Sequence, residues 1–594
     1  MAQNMNYPGV YWEEIDNSFV PSVDNSSYSA VLGRAKKGIP NAKVLVKRED
    51  ELISIFGTPI VSGSYPLVSA IDYGIYTGLE FLKETSNLYY VRLTDGTEKY
   101  SNVTVPTTGE SVVSGTYGTL SAAASTEYPS TITGYPEGNT LDNNYDLSVK
   151  NGAPSGLRFA AIGPGAYGNN YAIAIWTTAC GSSANSATYG KFYDWKDVYD
   201  DPTVTSNRIA DKVFKVQVFS KNSNESFNAS WWASVSGSPL ETFYASTDFT
   251  LLDNQGNSLF VNDVINGKSN YVYATVNVTD GTVPAFTTSA FGLLGGADAS
   301  SLSQINASTV WSFFSDRESS PLNVAIALPR AKDNASNTSE VAALDALVGK
   351  RRDFNYTVQV ANLTASTYTD FINQSSLITI ASNPSYASKC VGWHLVYDRY
   401  NGSKVYLPNN IFQAAACLRV DRVAKPWDAP ANTDYGLLPS GKQFVNITEQ
   451  VGGDLYKNAN INVVKFFRGL GYAFWGQKTA QMKETARNRI NVRRMLITIQ
   501  KNIDVILKGF LFKGNTVKAR ERVTALINSY LQGVLADGGV QSFRVVCNDT
   551  NNTSTTIAQN LLNVDVYVQP TYVIEFIKFS TIISSDSVTT SEVQ

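Results

Sequence analysis

Few residues in this chain are arranged for covalent chemistry. Gly471-Tyr472-Ala473-Phe474-Trp475-Gly476-Gln477-Lys478-Thr479 comes within one residue of a phosphate-cradling loop. Gln477 separates Gly476 from Lys478, which breaks the nest of backbone amides, and bulky aromatics fill the loop, so nucleotide binding is not expected. The single histidine, His394, lies in a strand-like run, Cys390-Val391-Gly392-Trp393-His394-Leu395-Val396-Tyr397, and reads as a structural histidine with satisfied partners. One histidine and four scattered cysteines (Cys180, Cys390, Cys417, Cys547) leave zinc and Ser-His-Asp chemistry without their parts. The cysteines read as buried thiols in a reducing compartment. Gly163-Pro164-Gly165 is a turn, and no spacing pairs two acids as acid and base, so no catalytic residue, metal or cofactor is expected.

What remains is charge. Residues 465–522 hold fourteen Lys or Arg against three acids, a net of +11 in a chain whose total is −3, which leaves −14 for the rest. Such a block is built to face something negative: nucleic acid, an anionic membrane, or an acidic protein wall. Its pattern is helical. Val492, Leu496, Ile499, Ile503, Ile506 and Phe510 form one apolar face. Arg487, Arg494, Lys501 and Lys508 recur every seven residues, a nearly straight row, with Asp504 placed to neutralise part of it. A second helix carries Val523, Leu526, Ile527, Tyr530, Leu531 and Val534 and should stop at Gly538-Gly539. Lys518, Arg520 and Arg522 sit near its start, where cations oppose the helix dipole, so local helix stability does not explain them.

These helices belong to a chain of 594 residues, long enough for several domains, about four by length alone. A hydrophobic content of 43% supports real cores. No run of 18 apolar residues occurs, so no membrane span is expected. The opening MAQNMNYPGVYWEEID lacks a basic stretch before an apolar core, so no secretory signal is expected either. The sequons at Asn102, Asn224, Asn277, Asn306 and Asn355 then read as chance products of an Asn/Ser/Thr-rich composition.

The pattern predicts an α+β multidomain chain: mixed α/β core domains, an inserted all-β domain, and extended N- and C-terminal arms. Residues 21–98 and 306–385 form a middle α/β domain, with strands at Tyr28–Leu32, Leu88–Leu93 and Leu322–Leu328. Helices are expected around Leu67–Leu79 and Val341–Leu347. Residues 99–305 form the β insertion, with strands such as Phe214–Phe219 and Tyr271–Val276. Residues 386–575 form a C-terminal domain whose Phe543–Cys547 and Val564–Val568 should pair as a hairpin. Residues 1–20 and 576–594 are the arms; Pro8 and Gly9 enter an extended stretch, and Tyr572–Phe579 is apolar on nearly both sides. Two strand-like ends suggest strand addition between subunits.

Several short motifs, in this order, resemble the contractile tail sheath proteins of myovirus-type bacteriophages and related contractile injection systems. Tyr7-Pro8-Gly9-Val10-Tyr11 with Glu13 to Asp16 is similar to that family's N-terminal arm, and Val31-Leu32-Gly33-Arg34-Ala35 to its first core strand. Tyr90-Val91-Arg92-Leu93, Leu294-Gly295-Gly296, Tyr406-Leu407-Pro408, Trp427-Asp428-Ala429-Pro430 and Ile490-Asn491-Val492-Arg493-Arg494 follow.

The resemblance implies a structural machine that is not an enzyme. Subunits would stack as hexameric rings around an inner tail tube, bounded by baseplate and tail terminator proteins. They would contract without ATP to drive the tube through the host envelope for genome delivery. It implies inter-subunit arm strands at Tyr7, Pro8, Gly9, Val10, Tyr11 and Glu13, and at Ile574, Phe576, Ile577 and Phe579. The tube-facing cations would be Arg487, Arg494, Lys501, Lys508, Lys513, Lys518, Arg520 and Arg522. No direct nucleic-acid contact and no membrane insertion are implied, and the place is the virion tail, after assembly in the host cytoplasm. The competing class is a nucleic-acid-binding capsid or portal-type virion protein. An adhesive tail fibre built from the β region would be trimeric, and the long basic helices speak against it.

Overall fold

The computed structural model describes residues 27–62, 70–94, 98–105, 157–178, 193–199, 209–220, 239–276, 283, 291–298, 307–330 and 335–579. The expected N-terminal arm, Tyr7 to Glu13 included, lies outside these residues, as do Leu67, Cys180 and residues 580–594. Two compact units form: one of residues 26–424 and 430–482, the other of 425–429 and the chain from 483 onward.

The larger unit is built on a seven-stranded sheet. Its strands are β1 (Ser29–Gly33), β2 (Lys43–Val46), β3 (Leu88–Arg92), β4 (Val324–Ala327), β5 (Asn355–Gln359), β6 (Ala387–Cys390) and β7 (Ile461–Asn462). The order is β7-β6-β5-β4-β1-β3-β2, parallel throughout except for β2 against β3. Every residue of β1, β3, β4 and β5 is buried, which explains the nearly continuous apolar runs of β1, β3 and β4, while β5 buries Asn355, Thr357 and Gln359 between its apolar residues. The helices α1 (Gly74–Leu82), α2 (Thr338–Arg351) and α3 (Asn409–Val423) pack against this sheet.

The expected helix over 67–79 is shorter at its start. Ala70–Ile71 is instead a strand paired with Val61–Ser62, and the helix begins only at Gly74. There a Cβ on Gly33 would lie 2.5 Å from the Gly74 Cα, so the end of β1 and the start of α1 touch only because both are glycine. The other expected α/β elements appear within a few residues of their expected limits, as do the strands Phe214–Ser220 and Val272–Val276 of the β region. In that region antiparallel sheets of four and three strands share an apolar core containing Phe159, Ile173, Val216 and Ala274. Asn102 and Asn355 are buried within strands.

The chain runs from β1 to β3 on one side and returns at β4 on the other, a topological switch where open α/β sheets commonly bind ligands. Here the protein's own ions occupy it. Arg330 donates to the Leu32 carbonyl (3.1 Å) and to Glu340 Oε2 (2.6 Å); Asp72 Oδ1 accepts from the amides of Arg34 (3.1 Å) and Gly74 (2.8 Å). Burial raises the pKa of both Asp72 and Glu340. The near-match to a phosphate loop has no helix to open: Gly471–Phe474 is a strand paired with Val464–Phe467, and the Lys478 ammonium lies 4.8 Å over the Tyr456 ring. Cys390, Cys417 and Cys547 are buried and form no disulfide. Among the described residues no helix is long and apolar enough to cross a membrane.

His394 is fully buried, with Nε2 2.8 Å from the Pro439 carbonyl and Nδ1 3.1 Å from Gln443 Nε2. A neutral ring carrying its proton on Nε2 satisfies both partners: it donates to Pro439 and accepts from Gln443. Burial holds the imidazole pKa below its ordinary 6.5. The unfolded chain therefore binds this proton first as pH falls, so its stability contribution is full above that value and is lost below it. Thermal unfolding should shift to lower temperature as pH drops through about 6.5, at about 1.4 kcal/mol for each unit of depression. His394→Gln should flatten this part of the profile; a variant profile parallel to that of the parent chain would contradict the assignment.

Candidate functional site

The smaller unit contains the basic block and the apolar chain end. Its helices α4 (Ile490–Lys508) and α5 (Val517–Ala536) pack as a pair beneath a hairpin of β8 (Val540–Val546) and β9 (Asp565–Pro570). The expected apolar faces close this core. Val492, Ile499 and Ile506 of α4 meet Val523, Ile527, Leu531 and Val534 of α5. Phe543, Val545, Val566 and Val568 cover them from the hairpin. Between the helices, Asn502 Nδ2 donates to the Tyr530 hydroxyl at 2.7 Å, and burial raises that phenol's pKa. The second helix ends as expected: Gly538 takes φ +77° and Gly539 N donates to the Val534 carbonyl at 2.9 Å.

Residues 425–429 are part of this unit. Lys425 Nζ lies 2.8 Å from Asp537 Oδ2, Trp427 Nε1 donates to the Asp537 carbonyl, and Asn491 Nδ2 donates to the Trp427 carbonyl, both at 3.2 Å. The Trp427 indole thus joins the core from a strap far away in sequence.

The eight expected cations divide into two groups. Arg487 is exposed in the short turn Ala486–Asn488 ahead of α4, and Arg494 is only 4% exposed on the helix, so the heptad spacing does not produce one continuous surface row. Ile490 through Met495 are all buried, so the start of α4 has no water-facing side. Lys501 is half-buried, and Lys508 pairs with Asp504 one turn back at 3.1 Å, as the spacing predicted. Arg520 is buried, and its guanidinium donates to Asp549 Oδ1 (2.6 Å) and Asn515 Oδ1 (3.0 Å), tying the start of α5 to the loop between β8 and β9. Lys513, Lys518 and Arg522 face water, with the Lys513 ammonium 5.3 Å over the Phe510 ring.

Beyond β9 the chain runs through residues 571–579 without strand pairing. Ile574, Phe576, Ile577 and Phe579 are 81–87% exposed. Glu575 turns inward, as Val573 partly does, and accepts from Arg489 Nε (2.6 Å) and Nη2 (3.0 Å) in a cleft lined by residues of 484–492 and 572–576. This bidentate latch is invisible to the local charge pattern, because its members lie 86 positions apart.

Residues 483–584 match the family model described as the phage tail sheath C-terminal domain. The chain is 29% identical over 382 residues to the tail sheath protein of Vibrio phage KVP40, covering 60% of this chain and 55% of that protein. It is 30% identical over 344 residues to the tail sheath protein of Enterobacteria phage T4, covering 54% of this chain and 50% of that one. The chain thus spans about half the length of the curated relatives it matches. A solved sheath tail protein from Listeria innocua shares the fold, with a TM-score of 0.52 at 11% identity over 92% of this chain and 93% of that one. The fold class is α+β and multidomain, and the chain is similar to phage tail sheath proteins, most specifically over residues 483–584.

Glu575→Gln should weaken the latch without disturbing the helix pair. Loss of a charge-assisted pair of this partial exposure costs about 1 kcal/mol, so hydrogen exchange over residues 571–579 should quicken several-fold while the amides of α4 and α5 keep their protection. Unchanged exchange over 571–579 would show that the latch does not hold the segment.

Proposed function

We propose that the chain is a structural subunit of a contractile phage tail sheath, which polymerises as stacked hexameric rings around an inner tail tube. On this reading it contracts without ATP to drive the tube through the host envelope for genome delivery. The observation that carries the reading is the state of the chain end: an extended segment, apolar and exposed at Ile574, Phe576, Ile577 and Phe579, rooted beside a sheet that has two strands among the described residues. An isolated pair of strands has two open edges, and an extended segment of a neighbouring subunit can complete such a sheet by main-chain hydrogen bonds. Tyr7, Pro8, Gly9, Val10, Tyr11 and Glu13 would supply the matching strand at the other end. The ladders form the permanent mesh while the bodies repack around it.

The tube contact is of the opposite kind. Exposed ion pairs contribute about 0–1 kcal/mol each and weaken with salt, which suits contacts that release together. The exposed cations Arg487, Lys508, Lys513, Lys518 and Arg522 serve this role, whereas Arg494 and Arg520 stabilise the unit's interior. Baseplate and tail terminator proteins bound the polymer, the place of action is the virion tail after assembly in the host cytoplasm, and the role is mechanical rather than catalytic.

Electron micrographs of the purified chain should show tubular polymers with helical striation. Soluble monomers that retard DNA in a gel at moderate salt would instead support the nucleic-acid reading and overturn this one. Deleting residues 1–20 should leave folded protein that no longer polymerises; normal tubes would refute the arm role. Lys518→Glu with Arg522→Glu should spare self-polymerisation and reduce assembly on inner tubes by tenfold or more, on the order of one to two lost ion pairs per subunit repeated around each ring. Equal tube assembly would make these cations an ordinary solvated face.

A further inference from the structure

The turn between α4 and α5 carries a feature that the salt-screened contact does not use. Gly509-Phe510-Leu511-Phe512-Lys513-Gly514 turns Phe510 into the core and Leu511 and Phe512 out of it. The Phe512 side chain is fully exposed, and its backbone sits at φ +61°, a left-handed conformation that a bulky residue adopts at a cost. Glycine would avoid both the strain and the exposed ring, so nothing among the described residues of the unit accounts for phenylalanine at this position. Val517 and Leu561 extend the apolar surface, and Asn515 Nδ2 holds the Leu561 carbonyl against the turn at 3.1 Å. Exposed Lys508 and Lys513 flank the turn in sequence, and exposed Lys518 and Arg522 follow on the first turns of α5.

We propose that this turn is an apolar knob that seats in a recess on an acidic protein surface, with the surrounding cations meeting carboxylates at the recess rim. The inference rests on the sheath reading, in which that surface belongs to the inner tube. The charge pattern favours a protein over a lipid or nucleic-acid surface. Asp504, Glu521 and the largely exposed Asp549 stand among the cations, a mixture that suits a protein face of alternating sign better than a uniformly anionic one. The two components differ in their response to salt: ion pairs are screened, apolar burial is not. An apolar contact is also non-directional, so it can be left without breaking a fixed set of hydrogen bonds.

The test uses the full chain carrying Phe512→Gly, with assembly on purified inner tubes measured across a salt series beside tube-free polymerisation. Glycine relieves the left-handed backbone, so the melting temperature should hold or rise, which checks folding. The variant should polymerise normally without tubes, yet bind tubes roughly tenfold more weakly per contact and release them at lower salt than the parent chain. Tube binding equal to the parent at every salt would overturn the knob. Loss of tube-free polymerisation would overturn the tube as its seat and assign the knob to a second copy of this chain. Binding of the parent chain, but not the variant, to phosphatidylglycerol vesicles would overturn the protein occupant in favour of a membrane. Failure of the parent chain to assemble on tubes would strike the sheath reading itself, a result distinct from any of these.

Discussion

The structure turns on an extended chain end that pairs with no strand among the described residues. Beyond the bond from the Thr571 amide to the Gly539 carbonyl, residues 571–579 form no ladder with the described residues, and Ile574, Phe576, Ile577 and Phe579 stand in water. Exposed backbone and exposed phenylalanine and isoleucine side chains are both unfavourable, and an open sheet edge beside them is a template for association. The Arg489–Glu575 pair fixes where this segment leaves the body, which makes its direction a property of the fold.

Charge in the smaller unit divides the same way, between groups that hold the body together and groups that face outward. Arg520 ties a helix start to the hairpin loop through Asp549, and Arg489 ties the chain end, while Lys513, Lys518 and Arg522 remain in water. A buried, hydrogen-bonded charge cannot be moved cheaply, whereas solvated cations can exchange one acidic partner for another at little cost. In the larger unit the buried Arg330–Glu340 pair and Asp72 fill the sheet's ligand-binding crevice, so the position that many α/β enzymes use for chemistry is here structural.

Elements with a strong period were legible in the residues. The apolar faces of α4 and α5, the glycine stop at Gly538, the hairpin and the buried parallel strands all follow from spacing that one element fixes alone. What spacing could not reveal was pairing at a distance. The heptad row treated Arg494 as a surface residue, but Asn491 and its neighbours are covered by Trp427, from a strap more than sixty positions earlier. Arg520 and Asp549 are 29 positions apart, and no local pattern links them. The shortened helix at Gly74 had a readable cue, since a Gly in β1 and another at a helix start often mark a close approach, yet the partner strand at Val61–Ser62 is a tertiary fact.

The most direct measurement is a cryo-electron reconstruction of the polymer formed by the purified chain. Residues 571–579 should appear as a strand hydrogen-bonded to the β8–β9 hairpin of a neighbouring subunit. Density that pairs this segment within its own subunit, or that leaves the hairpin edges of every subunit unoccupied in an intact tube, would contradict it.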